Sequence, residues 1–364
     1  MGNFNLVKGA IFGQAIGDAL AHPIEFEKTH EVVDLQDDNK FTDDTQMFCA
    51  IGEAMLDAPP HLGVDAFMDA LTARFIDWRK NPLGGSHRAP GGTCMEGVRK
   101  LGAGRHWRQS GATVAGKGNG SAMRAGIVGA RYWQEPYTAF RLGCLTSVNT
   151  HNNLESILSA GMVAFLVADS IQGTGFNEAV AEGLRLCGEF PYQVPDYPTN
   201  NVPLDNTKNG QSPWGAIASF ARGFILGESN MTTAEFLKQN GNDFTAVPAV
   251  SEAIFFNARH VDYNVMALDC ANRSDDSDTV TAIAGTIAGA RWGYDKIVAS
   301  WIAKIEMREY LDDLSQRIWL ASLGQTEAEH RAQDVEEALG EEEDEGELNL
   351  VPSGDDDEDF EVEF

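Results

Sequence analysis

Two acidic runs, each set directly before an apolar stretch of helical spacing, constrain this chain most. The first is Thr42-Asp43-Asp44-Thr45 and the second is Asp275-Asp276-Ser277-Asp278-Thr279. A hydroxyl cap followed by an acidic first turn is an ordinary helix start. Thr42, Asp43 and Asp44 fit that reading when taken alone. Three carboxylates within four positions do not, because they repel one another until a pKa rises or a cation arrives. The pattern predicts a fold that brings two distant helix starts together around an oxygen-rich site for Mg²⁺-like ions.

Helical periodicity runs through most of the remaining sequence. Phe67, Leu71, Phe75 and Trp78 recur at spacings of three and four, as do Leu154, Ile157, Leu158, Gly161 and Phe165. Val280, Ile283, Ile287 and Ala290 follow the second acidic run in the same way, and Ile297, Trp301 and Ile305 continue it. Strand alternation is nearly absent, and only Glu31–Leu35 invites a short strand. The expected class is therefore all-α. Segments such as GAIFGQAIGDALA and AIAGTIAGARWG place glycine and alanine repeatedly on helices. An exposed helical glycine costs roughly 1 kcal/mol against alanine, so the pattern predicts backbones in close contact. Loops are expected at Gly84–Gly92, Gly111–Ser121 and Phe190–Ser212.

The chain has 364 residues, 43% of them hydrophobic, and a net charge of −28. Residues 327–364 carry 18 acidic side chains and one basic one, which accounts for −17 of that charge. Residues 1–325 are expected to form one domain and 326–364 an acidic, disordered tail. That tail could hold a basic partner, while an acidic body argues against nucleic acid. No unbroken run of 18 apolar residues is present, so no membrane association is expected. The N-terminus has no signal-peptide pattern. Five scattered cysteines without a CxxC pair read as free thiols of a cytoplasmic protein.

Several motifs can be set aside. An EF-hand needs glycine where Thr281 stands when counting from Asp276. No P-loop and no GxSxG elbow occurs. Aspartates with the hydroxyls of Thr42 and Thr279 suit hard divalent ions such as Mg²⁺, Mn²⁺ or Ca²⁺. Asp43 and Asp44 point in different directions and can serve two ions, or one ion and one water. Glu25 follows a helix-ending Pro23, where an exposed loop charge is the plain expectation. Gly118-Asn119-Gly120-Ser121-Ala122-Met123-Arg124 is a glycine-bearing turn whose free N–H groups can meet phosphate.

The ordered set GDAL…PIEF, FTDDT, RAPGGT, GNGSAMR, NTH and DSDT before AIAGTIAGARWG, spanning about Val7 to Ile305, resembles the ADP-ribosylglycohydrolases. Their members include the glycohydrolase that reactivates dinitrogenase reductase. The resemblance implies a compact all-α domain with two Mg²⁺ or Mn²⁺ ions, and cleavage of the glycosidic bond between ADP-ribose and a protein side chain, most often arginine. It implies Thr42, Asp43, Asp44, Asp276, Asp278 and Thr279 as metal ligands. Among Asp43, Asp44 and Glu25 it implies the group that relays a proton, Glu25 being the mobile acid. Asn119, Gly120, Ser121 and Met123 would contact ADP-ribose around its phosphates. His151 would meet its distal part, and Gly91, Gly92 and Thr93 would lie beside the ribose. One departure stands out: Ser274-Asp275 replaces the family's usual Gly-Gly. That change motivates an alternative, a protein that binds ADP-ribose or an ADP-ribosylated partner without hydrolysing it.

Overall fold

Gly9, Gly13 and Gly17 recur every fourth residue along the first helix. Gly285 and Gly289 do the same in the helix that follows the second acidic run. The reason is visible in the computed structural model, which describes residues 2–25, 31–189 and 213–341, with side chains to residue 324. The two helices cross with backbone against backbone. A methyl group at Gly9 would overlap the carbonyl of Gly289, one at Gly13 that of Gly285, and one at Gly17 that of Thr281. Only glycine permits that approach, and both helices are buried along most of their length.

Among the described residues sixteen α-helices follow one another: α1 (Gly2–Ala21), α2 (Asp43–Asp57), α3 (Val64–Lys80), α4 (Gly92–Gly102), α5 (Trp107–Ser110), α6 (Gly126–Arg131), α7 (Pro136–Ser147) and α8 (Leu154–Gln172) in the first half. The second half holds α9 (Phe176–Glu189), α10 (Pro213–Gly227), α11 (Thr233–Asn240), α12 (Ala246–Arg259), α13 (Tyr263–Arg273), α14 (Ser277–Trp292), α15 (Ala299–Lys304) and α16 (Arg308–Glu341). The class is all-α, and no strand forms among the described residues. Two isolated bridges, Ala112 with His151 and Gly118 with Thr245, tie loops together instead.

The helical faces read from the sequence pack as expected. Phe67, Leu71, Phe75 and Trp78 are buried on α3, and Val280, Ile283, Ile287 and Ala290 on α14. Each large apolar side chain so buried contributes roughly 1.5–3 kcal/mol. Helix α8 lies at the centre of this packing. Its mean hydropathy reaches 1.6 over a span long enough to cross a membrane, yet 89% of that window is buried within the protein. Ser156, Ser159 and Asp169 interrupt its apolar run, so a search for unbroken apolar sequence passes over it.

Two local expectations are corrected. Glu31–Leu35 forms no strand, because its backbone is satisfied by a side chain: Val32 N–H donates to Asn272 Oδ1 and Asn272 Nδ2 donates to Val32 O. Ile297, Trp301 and Ile305 are buried but do not share one helix. Gly293, at φ 91°, stops α14, a 3₁₀ turn covers Tyr294–Lys296, and α15 is only six residues long. The chain divides into two units, Met1–Ser322 and Leu323–Phe364; the core and the cavity described next belong to the first. The loop expected at Phe190–Ser212 lies outside the described residues, as do residues 342–364 of the tail expected from 326; residues 326–341 continue α16.

Candidate active site

The glycine contact between α1 and α14 fixes where the two acidic runs meet. Ser277 Oγ, at the start of α14, donates to Ala21 O at the end of α1 (3.2 Å). Three residues before that end, Asp18 is fully buried. It accepts from Thr42 N–H at 2.9 and 3.0 Å, from Thr45 N–H at 3.1 Å and from Thr45 Oγ at 2.6 Å. One aspartate of α1 thus holds the N-terminus of α2 in place. Thr42 caps that helix, its hydroxyl oxygen accepting from Asp44 N–H (3.3 Å). The adjoining loop is pinned twice more. Gln46 Nε2 donates to Leu83 O and Ser86 O, and Arg88 bridges Phe41 O and the Glu306 carboxylate.

A cavity of about 330 Å³ opens between these elements. Asp43 and Asp44 from α2, Asp276, Asp278 and Thr279 from α14, and Glu25 line its acidic part. Gly91, Gly92 and Thr93, at the start of α4, form another wall. Asn119, Gly120, Met123 and His151 form a third. Thr42 and Ser121 stand behind the surface; the Ser121 hydroxyl donates to Ser156 O instead. Glu25 is buried, not the exposed loop charge its position after Pro23 suggests. A Cβ at Gly91 or Gly92 would meet nothing within 4 Å, so the protein itself does not require glycine there and the space is open to a ligand. At Gly120 it would strike Cys94 Sγ and the His151 ring, so packing does require it.

Four residues that shape the site carried no role in the sequence reading. Asp18 is one, although an aspartate on a glycine-alanine helix was the signal for it. Asp243 is the second: its Oδ2 accepts from Asp275 N–H (2.7 Å) and Asp276 N–H (3.0 Å). Asn119 Nδ2 then donates to Asp243 O and to Asp276 Oδ2 (2.8 and 2.6 Å), joining the glycine turn to the second acidic run. Phe244, half-exposed at 43%, lines the cavity as an aromatic in an otherwise polar loop. Arg124, the last residue of GNGSAMR, is fully buried. It donates to Thr150 Oγ1 (2.6 Å), Thr146 O (3.2 Å) and Asn149 Oδ1 (3.5 Å), and its guanidinium lies 4.7 Å from the Phe75 ring centre.

That arginine orients His151. Thr150 Oγ1 accepts from Arg124 and shares a second hydrogen bond with His151 Nδ1 at 2.9 Å. That contact fixes the ring's orientation and leaves Nε2 beside Gly118 at the cavity wall. Burial first, and the Arg124 charge second, push the His151 pKa down to about 3, so the ring stays neutral.

The acidic wall behaves in the opposite way. Burial, and then Asp18, hold Asp43 well above the usual carboxylate range; for Asp44 burial is followed by Asp278. Asp276 and Asp278 are raised by burial and by carboxylate neighbours. Burial and Asp276 lift Glu25 to about 8, and burial lifts Asp18 to about 6. Among the described residues no lysine or arginine lines the cavity. Asp44 Oδ2 and Glu25 Oε2 are buried without a hydrogen-bond partner. Oxygens of Asp18, Asp44 and Asp278 lie within 4.8 Å of one another. Orphaned oxygens, crowded carboxylates and the absence of a lining cation fit a site for hard divalent ions.

The sequence profile of the ADP-ribosylglycohydrolases matches residues 2–328. The chain belongs to that family. The ADP-ribosylarginine hydrolase Tri1 of Serratia proteamaculans is 25% identical over 338 residues, covering 86% of this chain and 78% of the relative. The ADP-ribosyl-[dinitrogen reductase] glycohydrolase of Rhodospirillum rubrum is 23% identical, covering 82% of this chain and 90% of the relative. Among solved structures, an ADP-ribosylglycohydrolase-related protein complex superposes with a TM-score of 0.61 at 20% identity, over 88% of this chain and 99% of that one. In this ADP-ribosylglycohydrolase, Asp275 precedes the second acidic helix start. Its side chain is exposed and does not line the cavity, because the backbone there is drawn back onto Asp243.

Proposed function

We propose that the protein hydrolyses the bond between ADP-ribose and a modified arginine side chain of a protein, using two divalent ions, Mg²⁺ or Mn²⁺. Membership in the family makes it an ADP-ribosyl hydrolase; the linkage, the ions and the residue roles are the proposal. The observation that carries it is the meeting of five buried carboxylates from three distant segments at one cavity, with no lysine or arginine among the described residues that line it. Asp43, Asp44, Asp276, Asp278 and Thr279 would hold the ions, with Thr42 set behind them as the cap of α2. Ions so held position ribose hydroxyls and make a water more acidic.

The rest of the reaction falls to the chain's own groups. Cleavage develops oxocarbenium character at the anomeric carbon. Asp43, Asp44 or Glu25, which line the same cavity, would take the proton of the attacking water. A guanidinium leaving group is already cationic and needs little acid assistance. The Serratia relative, an ADP-ribosylarginine hydrolase by name, supports that linkage. Asn119, Gly120 and Met123 would face the diphosphate, Gly91–Thr93 the ribose, and the neutral ring of His151 would exchange one hydrogen bond with the nucleotide.

The decisive assay is a panel of arginine-, serine- and aspartate/glutamate-linked ADP-ribosyl proteins, each with Mg²⁺ and with Mn²⁺. Release from arginine alone is the expected outcome. Release confined to another linkage would overturn the arginine assignment. Tight ADP-ribose binding by calorimetry with no release from any substrate would establish the binding-protein alternative.

A further inference from the structure

Asp278 belongs to two groups of ligand-like atoms. One is the oxygen set with Asp18 and Asp44; the other joins Asp278 to Glu25 and His22, again with all atoms within 4.8 Å of one another. His22 is the first residue after α1, in the 3₁₀ turn His22–Ile24. Its Nδ1 lies 3.5 Å from Glu25 Oε2 and 3.9 Å from Asp278 Oδ2. The side chain as a whole is 29% exposed, yet Nδ1 itself is buried and has no hydrogen-bond partner. Glu25 Oε2 opposite it is buried and partnerless as well, in a side chain only 6% exposed. The ring thus turns a nitrogen inward, toward two carboxylates, while its other edge reaches solvent.

Three donors with two separations of 3.5 and 3.9 Å, and the third within 4.8 Å, always leave a point equidistant from all of them. That point lies about 2.0–2.4 Å from each donor, the range of metal–nitrogen and metal–oxygen bonds. We infer that His22 Nδ1 is a ligand of one of the cations, so that this chain has one mixed nitrogen–oxygen position beside an all-oxygen one, with Asp278 between them. The inference rests on the reading of the cavity as a cation site and not on which glycosidic bond is cut. Its chemical consequence is selectivity. Mg²⁺ takes imidazole poorly, whereas Mn²⁺ and later first-row ions accept it readily.

The test uses the full chain loaded with Mn²⁺ and electron spin echo envelope modulation. A ¹⁴N coupling typical of bound imidazole is expected in the native protein and in His151→Gln, which removes the histidine that lines the cavity. It should vanish in His22→Ala and in His22→Gln. Calorimetry on the same proteins should show Mn²⁺ affinity falling on the order of tenfold at one site in both His22 variants, since even outer partners of ligands cost that much. The Mg²⁺ isotherm should change little. Mn²⁺ bound without nitrogen modulation, or modulation that survives His22→Ala, would overturn the nitrogen ligand alone. Absence of Mn²⁺ binding by calorimetry would overturn the cation site with it.

Discussion

The cavity has two walls built on contrary principles. On the Asn119–His151 side the buried polar groups answer one another: Arg124 donates to Thr150, Thr150 is hydrogen-bonded to His151, and the ring is left neutral. On the Asp43–Asp278 side the buried groups oppose one another, and burial and mutual repulsion raise all four aspartates. The first wall carries its own buried cation, Arg124, and its own donors. The second is complete only with positive charge brought from outside. A ligand that is anionic along one stretch and rich in hydroxyls along another would find a donor wall and a cation wall in one cavity.

The largest test of this contrast is to remove a carboxylate from the acidic wall. Asp44→Asn and Asp278→Asn should each lower kcat by about a thousandfold or more, as expected when a group shared by ion binding and chemistry is lost. Both variants should melt at a higher temperature than the native chain in excess chelator, because one repelling charge is gone. Normal turnover in either variant, or in chelator, would sink the metal mechanism.

A pH series on the cation-free protein comes next. Glu25 titrates near 4.5 unfolded and at about 8 folded, and Asp18 near 3.8 unfolded and about 6 folded. Between those values the folded chain binds more protons than the unfolded one, so stability falls as pH rises. Chemical denaturation should show the cation-free midpoint dropping from pH 5 to pH 8, with Mn²⁺ flattening that slope. A midpoint that rises over the same interval would contradict the crowding of these acids.

Breaking the other wall should do less. Thr150→Val removes the link between Arg124 and His151 and frees the ring to turn. KM should rise roughly tenfold, near the loss of one buried hydrogen bond, with kcat little altered and Thr150→Ser restoring it. Phe244→Ala should raise KM by a few-fold, the scale of one partly exposed ring contact. Asp275→Gly should change turnover by less than about twofold, because its side chain is exposed outside the cavity and surface changes of that kind are close to neutral. A large gain of activity in that last variant would revive the binding-protein alternative.

The sequence carried the helical faces and both acidic runs because each is local. Spacing alone places Phe67, Leu71 and Phe75 on one face, and adjacency alone reveals Asp43 and Asp44. Asp18, Asp243 and Arg124 were not legible in the same way. Asp18 acts on Thr42 and Thr45, Asp243 on the backbone of Asp276, and Arg124 on Thr150, each across an intervening helix or loop. No period connects such partners, so their roles emerge only once the chain has closed. The strand expected at Glu31–Leu35 failed for a related reason: Asn272, far along the chain, took the backbone bonds that a neighbouring strand would have used.

The glycine crossing of α1 and α14 has one more effect. With no side chain between the two backbones, the gap between the Asp18 end of one helix and the Asp278 end of the other is set by peptide van der Waals radii. Such a spacing cannot drift as hydrophobic residues elsewhere are exchanged for larger or smaller ones. The two halves of the acidic wall therefore keep a constant gauge, and the chemistry they frame is insulated from most of the evolution of the surrounding core.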